Sequence, residues 1–185
     1  MEYENSPLYR STNWVGRHWL AVFNSFVGLY VLLPILAPIL MGWGFERPAR
    51  LIYTIYAPTC HQLAFRSVFI NGEQFVYPRA NVTLLNTTLT RFETVAAGLP
   101  DFAGVSLSGL GADLLLAGRS FVGNAALGYK SAICQRDLAI FGAVFAGGLL
   151  FGLLRRRRVI RPLPLWAFVL VGMGPIGLDG FSQLF

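Results

Sequence analysis

Charged side chains are scarce in this chain. Of its 185 residues, only 13% are Asp, Glu, Lys or Arg and 55% are hydrophobic, whereas soluble domains carry about 25% charged residues. The mean hydropathy is +0.55. So few charges are atypical of a soluble globular domain, and the composition indicates that lipid is the solvent for much of the chain.

The signatures of several function classes are also missing. Two cysteines are too few for a small disulfide-stabilised scaffold. The chain has no glycine-rich phosphate loop, no dinucleotide-binding fingerprint and no Ser-His-Asp arrangement. Five of its fifteen basic residues lie between Arg155 and Arg161, beside an apolar run. No aromatic residues are interleaved with them, so no nucleic-acid partner is predicted.

Three apolar runs predict membrane-spanning helices. Trp19 to Met41 exceeds the roughly 20 residues that cross a bilayer, and Leu138 to Leu154 is near the lower limit of about 17 residues. A third run starts at Leu165 and continues through Leu178 toward the end of the chain. We therefore expect an all-α integral membrane protein with three transmembrane helices, interfacial helices and an extracytoplasmic cap.

Shorter helices are expected after the first span. Ala49 to Tyr56 is short and aromatic, which predicts a helix lying at the membrane interface. A second short helix is predicted over Cys60 to Ile70, with Gln62 and Arg66 on one face at four-residue spacing. Cys60 would then lie in the first turn, where the helix dipole favours a thiolate.

Residues 71–130 differ in character, because they are rich in Asn, Thr, Gly and Ser and contain no run long enough to span a membrane. We predict an extracytoplasmic insertion in a single membrane domain formed by residues 1–185. Leu84 to Ala97 and Leu110 to Ala117 are expected to form short helices within it, since each is followed by a glycine.

Positive charge predicts the orientation of the chain. The short basic connection Arg155 to Arg161 should be cytoplasmic by the positive-inside rule. The N-terminus is then cytoplasmic, and residues 42–137 are extracytoplasmic, in a multi-pass protein of the cell membrane. Asp179 lies about 21 Å beyond Leu165 at 1.5 Å per helical residue, in the outer half of the membrane. The polar residues around Cys60, around Cys134 and at Asp179 are thus predicted to lie at the same depth in the membrane.

Soft and borderline metal ligands occur on that outer side. Cys60 and His61 are neighbours, Cys134 precedes the second span, and Asp179 adds a carboxylate. Together these four residues would form a ligand set acceptable to zinc or another divalent metal, although their spacing matches no known zinc module. The other polar residues of the predicted cluster are Gln62, Arg66, Gln135, Arg136, Asp137 and Gln183.

The same cysteines support other interpretations. A disulfide between Cys60 and Cys134 is the ordinary fate of paired cysteines outside the cytoplasm, and unpaired thiols remain an alternative. The functional hypotheses are a metal- or thiol-dependent membrane protein and a non-catalytic accessory or structural subunit of a larger membrane complex. A transporter or lipid-carrier role would require oligomers, because three spans are few. Expected partners are membrane lipid, other membrane subunits or further copies of the chain, and the sequence leaves open whether the protein is an enzyme.

Several of these motifs carry a resemblance to a known family. They are Cys60-His61-Gln62, Gly128-Tyr129-Lys130, Cys134-Gln135-Arg136-Asp137, and Asp179-Gly180 followed by Gln183. Over about Tyr53 to Phe185, the chain resembles an uncharacterised prokaryotic integral membrane protein family, catalogued as domain of unknown function 2085. This chain lacks the proline that usually follows the first motif, and it has a long connection where many members have a short one. The resemblance implies a membrane topology and these motif residues, but no established activity.

Overall fold

The computed structural model describes residues 7–157, 164–174 and 177–178. The chain divides into two compact units, Met1–Gly148 and Leu149–Phe185. This division does not test the prediction of one membrane domain with an insertion, which stays a prediction. In chain order the elements are α1 (Pro7–Gly42), α2 (Glu46–Tyr56), β1 (Ser67–Ile70), β2 (Thr83–Leu84), β3 (Thr87–Thr88), α3 (Phe92–Ala96), α4 (Ala112–Ser120), β4 (Gly123–Asn124), β5 (Gly128–Cys134), α5 (Gln135–Arg157) and α6 (Leu165–Ala167).

In the described part of the chain, two helices are long and apolar enough to cross a membrane. They are Asn13–Gly42 within α1 and Gln135–Arg155 within α5, with mean hydropathies of 2.1 and 2.0. The first two predicted spans, Trp19 to Met41 and Leu138 to Leu154, fall inside these helices. Long apolar runs predict helices well because no other backbone arrangement satisfies its own hydrogen bonds within a single segment.

The predictions of an all-α fold and of three transmembrane helices are wrong. The structure contains a small antiparallel sheet, and only the two helices above pass the length and hydropathy criteria among the described residues. The third run is described as the short helix α6 followed by a π-helical stretch, Phe168–Met173. Its sequence contains Gly172 and Gly174, residues of low helix propensity.

Two prolines fail to interrupt α1. Pro34 and Pro38 lie inside the helix and are fully buried. Each lacks a backbone donor, but an apolar, packed helix tolerates that loss. The chain leaves the helix at Gly44, whose φ of +82° allows the N–H of Phe45 to bond the carbonyl of Leu40 at 2.9 Å, an arrangement that glycine favours at helix ends.

A glycine allows α1 and α5 to approach closely. A Cβ added to Gly148 would lie 2.0 Å from Oδ1 of Asn24, so any larger residue would displace that buried amide. Gly28 similarly faces the ring of Phe145, at 2.8 Å from an added Cβ. Small residues at the contact are the usual means by which apolar helices pack tightly in lipid.

The sheet joins two segments that are distant in the sequence. Its strand order is β1-β5-β4, with antiparallel neighbours. Ser67 pairs with Cys134 and Phe69 pairs with Lys130, and an irregularity between these pairs shifts the register. The predicted helix over Cys60 to Ile70 is therefore wrong. Its second half is strand β1, in keeping with the β-branched and aromatic residues there and with the partner that β5 provides.

The insertion contains less helix than its sequence predicts. The first part of the predicted helix Leu84 to Ala97 is a hairpin of β2 and β3, which turns through Leu85 and Asn86 at positive φ. Only Phe92–Ala96 is helical there. The second predicted helix is present as α4, shifted by two to three residues from Leu110 to Ala117.

Two clusters of buried side chains organise the first unit. The aromatic core lies within and beside the insertion, and the junction core joins α1, α2 and β5. Members of the aromatic core are Leu63, Ala64, Phe65, Phe69, Tyr77, Phe92, Ala96, Phe102, Leu114 and Phe121. Members of the junction core are Ala37, Met41, Ala49, Ile52, Tyr53, Tyr56, Cys60, Ala132 and Ile133.

Candidate metal site at the β5–α5 junction

Cys134 stands at the point where strand β5 ends and helix α5 begins. The next residue is the first of α5, and the thiol sulfur of Cys134 accepts the backbone N–H of Asp137 at 3.4 Å. A side chain that accepts an N–H in the first turn satisfies one of the donors left open at a helix start. The position also favours negative charge on the sulfur, because of the partial positive charge of the helix N-terminus.

Cys60 reaches the same junction from the loop that follows α2. Its backbone N–H bonds the carbonyl of Tyr56 at 3.2 Å, and its sulfur accepts the backbone N–H of Cys134 at 3.2 Å. Cys60 is buried in the junction core, with 8% of its surface exposed. The two thiols are therefore held by backbone hydrogen bonds, although 74 positions separate them in the chain.

Together with the carboxylate of Asp137, the two thiols form a compact group that we call the thiol cluster. The ligand atoms of Cys60, Cys134 and Asp137 lie within 4.8 Å of one another and could hold a metal ion. The two cysteines are 3.9 Å apart and both are free, so the structure has no disulfide between them. Two thiolates on one tetrahedral zinc would lie about 3.8 Å apart, given Zn–S distances near 2.3 Å, and the observed spacing fits that geometry.

Electrostatics in the thiol cluster favour the protonated thiol when no cation is bound. Burial raises the pKa of Cys134 to about 11; the N–H of Asp137 lowers it, and the nearby charges of Asp137 and Cys60 raise it further. Three groups that can each carry negative charge thus share one small space. A bound cation would reverse this preference, since metal coordination deprotonates thiols.

The structure separates the predicted metal ligands. Cys60 and Cys134 are brought together, but His61 is exposed and does not belong to the thiol cluster. Asp179 lies outside the described residues, so its predicted place in the site is not tested. Among the described residues, the carboxylate of the cluster comes from Asp137, three residues after Cys134.

The predicted polar cluster is also divided. Gln62 is buried at a positive φ of 52°, and its Nε2 donates to the carbonyls of Tyr53 and Ala132 at 2.8 and 2.9 Å. These bonds tie the Cys60 loop to both α2 and β5. The side chains of Arg66, Gln135 and Arg136 are exposed, and Gln183 lies outside the described residues.

Lys130 is a residue whose place at the site the sequence analysis missed, although it named Lys130 within a motif of the resembled family. It is the only lysine of the chain and is fully buried. Its Nζ donates to the carbonyl oxygens of Gln62 at 2.6 Å, Gly118 at 3.1 Å and Arg119 at 2.7 Å. Three acceptors match the three donors of an ammonium. A single lysine inside an apolar strand, in a chain that otherwise uses arginine, is the signal that could have identified it.

The charge of Lys130 interacts with the thiol cluster. Burial lowers the pKa of Lys130 to about 7, the neighbouring Cys60 raises it, and the positive charge of Arg119 lowers it. The ammonium therefore lies between a candidate thiolate and a like-charged guanidinium. Its three carbonyl contacts counteract the cost of burial, because hydrogen bonds to the charged form stabilise it.

Tyr30 on α1 is a second missed residue. Its hydroxyl hydrogen-bonds with the side chain of Thr59 and interacts electrostatically with Cys60, Cys134 and Asp137. Thus α1, the loop after α2, β5 and α5 all contribute to the surroundings of the thiol cluster. The sequence did not mark Tyr30, because aromatic residues are common throughout this chain.

An open cleft of about 270 Å³ adjoins the cluster at Cys60. This loop cleft is lined by Ala57, Pro58, Thr59, Cys60, His61 and Arg119. The guanidinium of Arg119 donates to the carbonyl of Ala57 at 3.1 Å, which fixes α4 against the loop. Cys60 is shared by the junction core and the cleft, so the cluster can be reached from this surface.

The resemblance to an uncharacterised membrane-protein family stays a prediction. Comparison with protein-family models, with curated proteins and with solved structures finds no match to this chain.

Proposed function

We propose that this chain is an integral membrane protein that binds a divalent metal of the zinc class at the thiol cluster. The observation that carries the proposal is the mutual approach of two free thiols and a carboxylate to within 4.8 Å. Two sulfurs and one oxygen form a donor set that zinc accepts in proteins, with one position left for a further ligand. Softer ligands of this kind disfavour magnesium and calcium.

The proposed orientation puts the thiol cluster on the extracytoplasmic face. The arginines that close α5 lie at the opposite end of that helix from Cys134, and clustered arginines beside an apolar helix favour the cytoplasm. The first helix then runs outward from a cytoplasmic N-terminus, and the sheet and insertion lie outside. Labelling a cysteine introduced at residue 159 of the Cys60→Ser, Cys134→Ser variant with an impermeant thiol reagent tests this orientation, and modification from outside intact cells would contradict it.

Metal content of purified protein tests the proposed site directly. We expect about one zinc per chain in the wild-type protein after loading and removal of excess metal, and loss of that zinc in the Cys60→Ser, Cys134→Ser double variant. Asp137→Asn should weaken zinc binding by about 10- to 100-fold, as expected for the loss of one supporting ligand.

Asp113→Asn is the matched control, because Asp113 is an exposed carboxylate in the first turn of α4. It should retain zinc at the wild-type level. A wild-type protein that takes up no more zinc than the double cysteine variant would refute the metal site, and equal effects of Asp137→Asn and Asp113→Asn would remove Asp137 from it.

A further inference from the structure

The loop cleft has a cationic lining and no acidic residue. Its side chains include a guanidinium, from Arg119, and an imidazole, from His61, and both residues are exposed. The other lining residues are uncharged or carry the Cys60 thiol. A concave surface lined with donors of positive or neutral charge favours anions, because low-dielectric walls strengthen the local potential.

Arg119 is positioned rather than mobile in this arrangement. It lies in the last turn of α4, and one guanidinium nitrogen is bonded to the carbonyl of Ala57 on the opposite wall of the cleft. A guanidinium has five N–H donors in a rigid fork. The bond to Ala57 uses one of them and orients the rest of the group at the rim of the cleft.

A second basic side chain, that of Lys130, lies close to Arg119. Nζ of Lys130 is 2.7 Å from the carbonyl oxygen of Arg119, and the charges of Lys130 and Arg119 repel each other. None of the three polar partners of Nζ is a carboxylate. An anion bound in the cleft would relieve this repulsion, since like charges at short range are stabilised by an opposite charge between or beside them.

We propose that the loop cleft binds a phosphate group, with the guanidinium of Arg119 and the ring N–H of His61 as donors. Arginine matches phosphate oxygens through paired hydrogen bonds. The volume of about 270 Å³ is below the usual range for drug-sized ligands, roughly 300–1,000 Å³, and suits a phosphate with a small attached group.

Two sources could supply such a phosphate, a phospholipid headgroup and a free phosphate ion. The lipid source rests on the proposed function, which places the cleft at the membrane surface. Cys60 in the cleft wall accepts the N–H of Cys134, and the candidate membrane span of α5 begins one residue later. A headgroup at the bilayer surface would therefore meet the cleft at the level where α5 enters the lipid.

The test measures binding to the purified full-length chain in a detergent without phosphorus. The probes are inorganic phosphate and a water-soluble, short-chain phosphatidic acid, each titrated by calorimetry. We expect Arg119→Gln to weaken binding at least tenfold for whichever of the two probes binds to the wild-type protein. Arg119→Lys should recover part of the loss. Arg50→Gln is the charge-matched control, because Arg50 is an exposed arginine on α2 that pairs with Glu46 at 3.6 Å, and it should bind as wild type does.

Binding of phosphatidic acid alone would identify the lipid headgroup as the source, and binding of both probes would show that the phosphate group suffices. The proposal is overturned if neither probe binds, or if Arg119→Gln binds as tightly as Arg50→Gln. Zinc content measured on the same samples separates the two proposals. Phosphate binding by the zinc-free double cysteine variant would support the phosphate site independently of the zinc site. A wild-type protein that binds zinc but no phosphate would refute only the phosphate site.

Discussion

The aromatic core and the junction core differ in their balance of large rings and small side chains. In the aromatic core, large rings meet edge to face, as with Phe92 and Phe102 at 5.4 Å and 84°. In the junction core, Ala37, Ala49 and Ala132 are fully buried, so backbones approach closely there beside the rings of Tyr53 and Tyr56. The first core gains stability from buried area, whereas the second gains precise spacing between helices and strand.

This difference explains why the thiol cluster lies in the junction core. Thiols that bind the same metal ion must be positioned within a few tenths of an ångström. Small neighbouring side chains let α2 and β5 approach closely enough for backbone N–H groups to reach the sulfurs. The only polar side-chain group among the members of the aromatic core is the Tyr77 hydroxyl, which donates to the carbonyl of Leu127. Its role is to hold the insertion against the loop that carries Cys60.

Lys130 connects the two cores, and its replacement should have the largest effect. Lys130→Met keeps most of the length of the side chain but leaves the carbonyls of Gln62, Gly118 and Arg119 without their donor, at about 1–3 kcal/mol for each buried acceptor. We expect thermal unfolding in detergent to show a loss of stability of several kcal/mol. Lys130→Arg is the charge-conserving comparison and should also destabilise, because a planar fork cannot fill three converging acceptors. Wild-type stability for Lys130→Met would contradict a connecting role.

A cavity in the aromatic core should lower the stability of the protein but leave zinc binding at the thiol cluster unchanged. Phe92→Ala removes a buried ring and is expected to cost about 3–5 kcal/mol. At temperatures where the variant remains folded, its zinc stoichiometry should equal that of wild type. A parallel loss of zinc by the folded variant would show that the two cores do not act separately.

Overpacking of the junction core should lower the zinc affinity as well as the stability. Ala132→Val adds volume at a fully buried position in β5, two residues from Cys134, and should cost about 1–3 kcal/mol. Zinc affinity should fall more than it does for Phe92→Ala, because the added methyl groups displace the strand that carries the thiol. Metal competition with a chromophoric chelator measures this, and unchanged affinity would mean that the spacing of the junction core is not critical.

The smallest effect is expected from the ion pair at the edge of the aromatic core. Burial acts to raise the pKa of Glu93, but its hydrogen bond from Arg79 and the charges of Arg79 and Arg91 hold that pKa below its usual value near 4.5. Its contribution is therefore present above about pH 4.5 and is lost as the pH falls through the lower, folded-state pKa. The magnitude should be on the order of 1 kcal/mol. Glu93→Gln should flatten the dependence of unfolding on pH below 4.5, and an unchanged slope would contradict the assignment.

Much of the helical framework could be predicted from local pattern. The apolar runs behind α1 and α5 are long, and the short helix α2 was placed within three residues of its true start. The third run was predicted as a span, but its described part is a three-residue α-helix followed by a π-helical stretch, which hydropathy alone does not distinguish from a continuous α-helix. Strand β1 was taken for helix for a related reason, since four residues carry little periodic signal.

The site was only partly predictable. Cysteines are few, so their pairing across the chain was a natural hypothesis, and the structure brings them together without a disulfide. The carboxylate partner was assigned to Asp179, outside the described residues, while Asp137 was treated only as a polar neighbour. Recognising Asp137 as a member of the thiol cluster required knowing that Cys134 ends a strand and that its sulfur accepts the N–H of Asp137 in the first turn of α5.

Composition and local pattern were therefore sufficient for the lipid-compatible helices, because apolar length and backbone hydrogen bonding act within one segment. Long-range packing was required for everything that brings separate segments together. The pairing of β1 with β5, the approach of Cys60 to Cys134 and the three carbonyls around Lys130 all depend on contacts across more than ten residues. Such contacts follow from the shape and volume of the folded neighbours, which no short stretch of sequence contains.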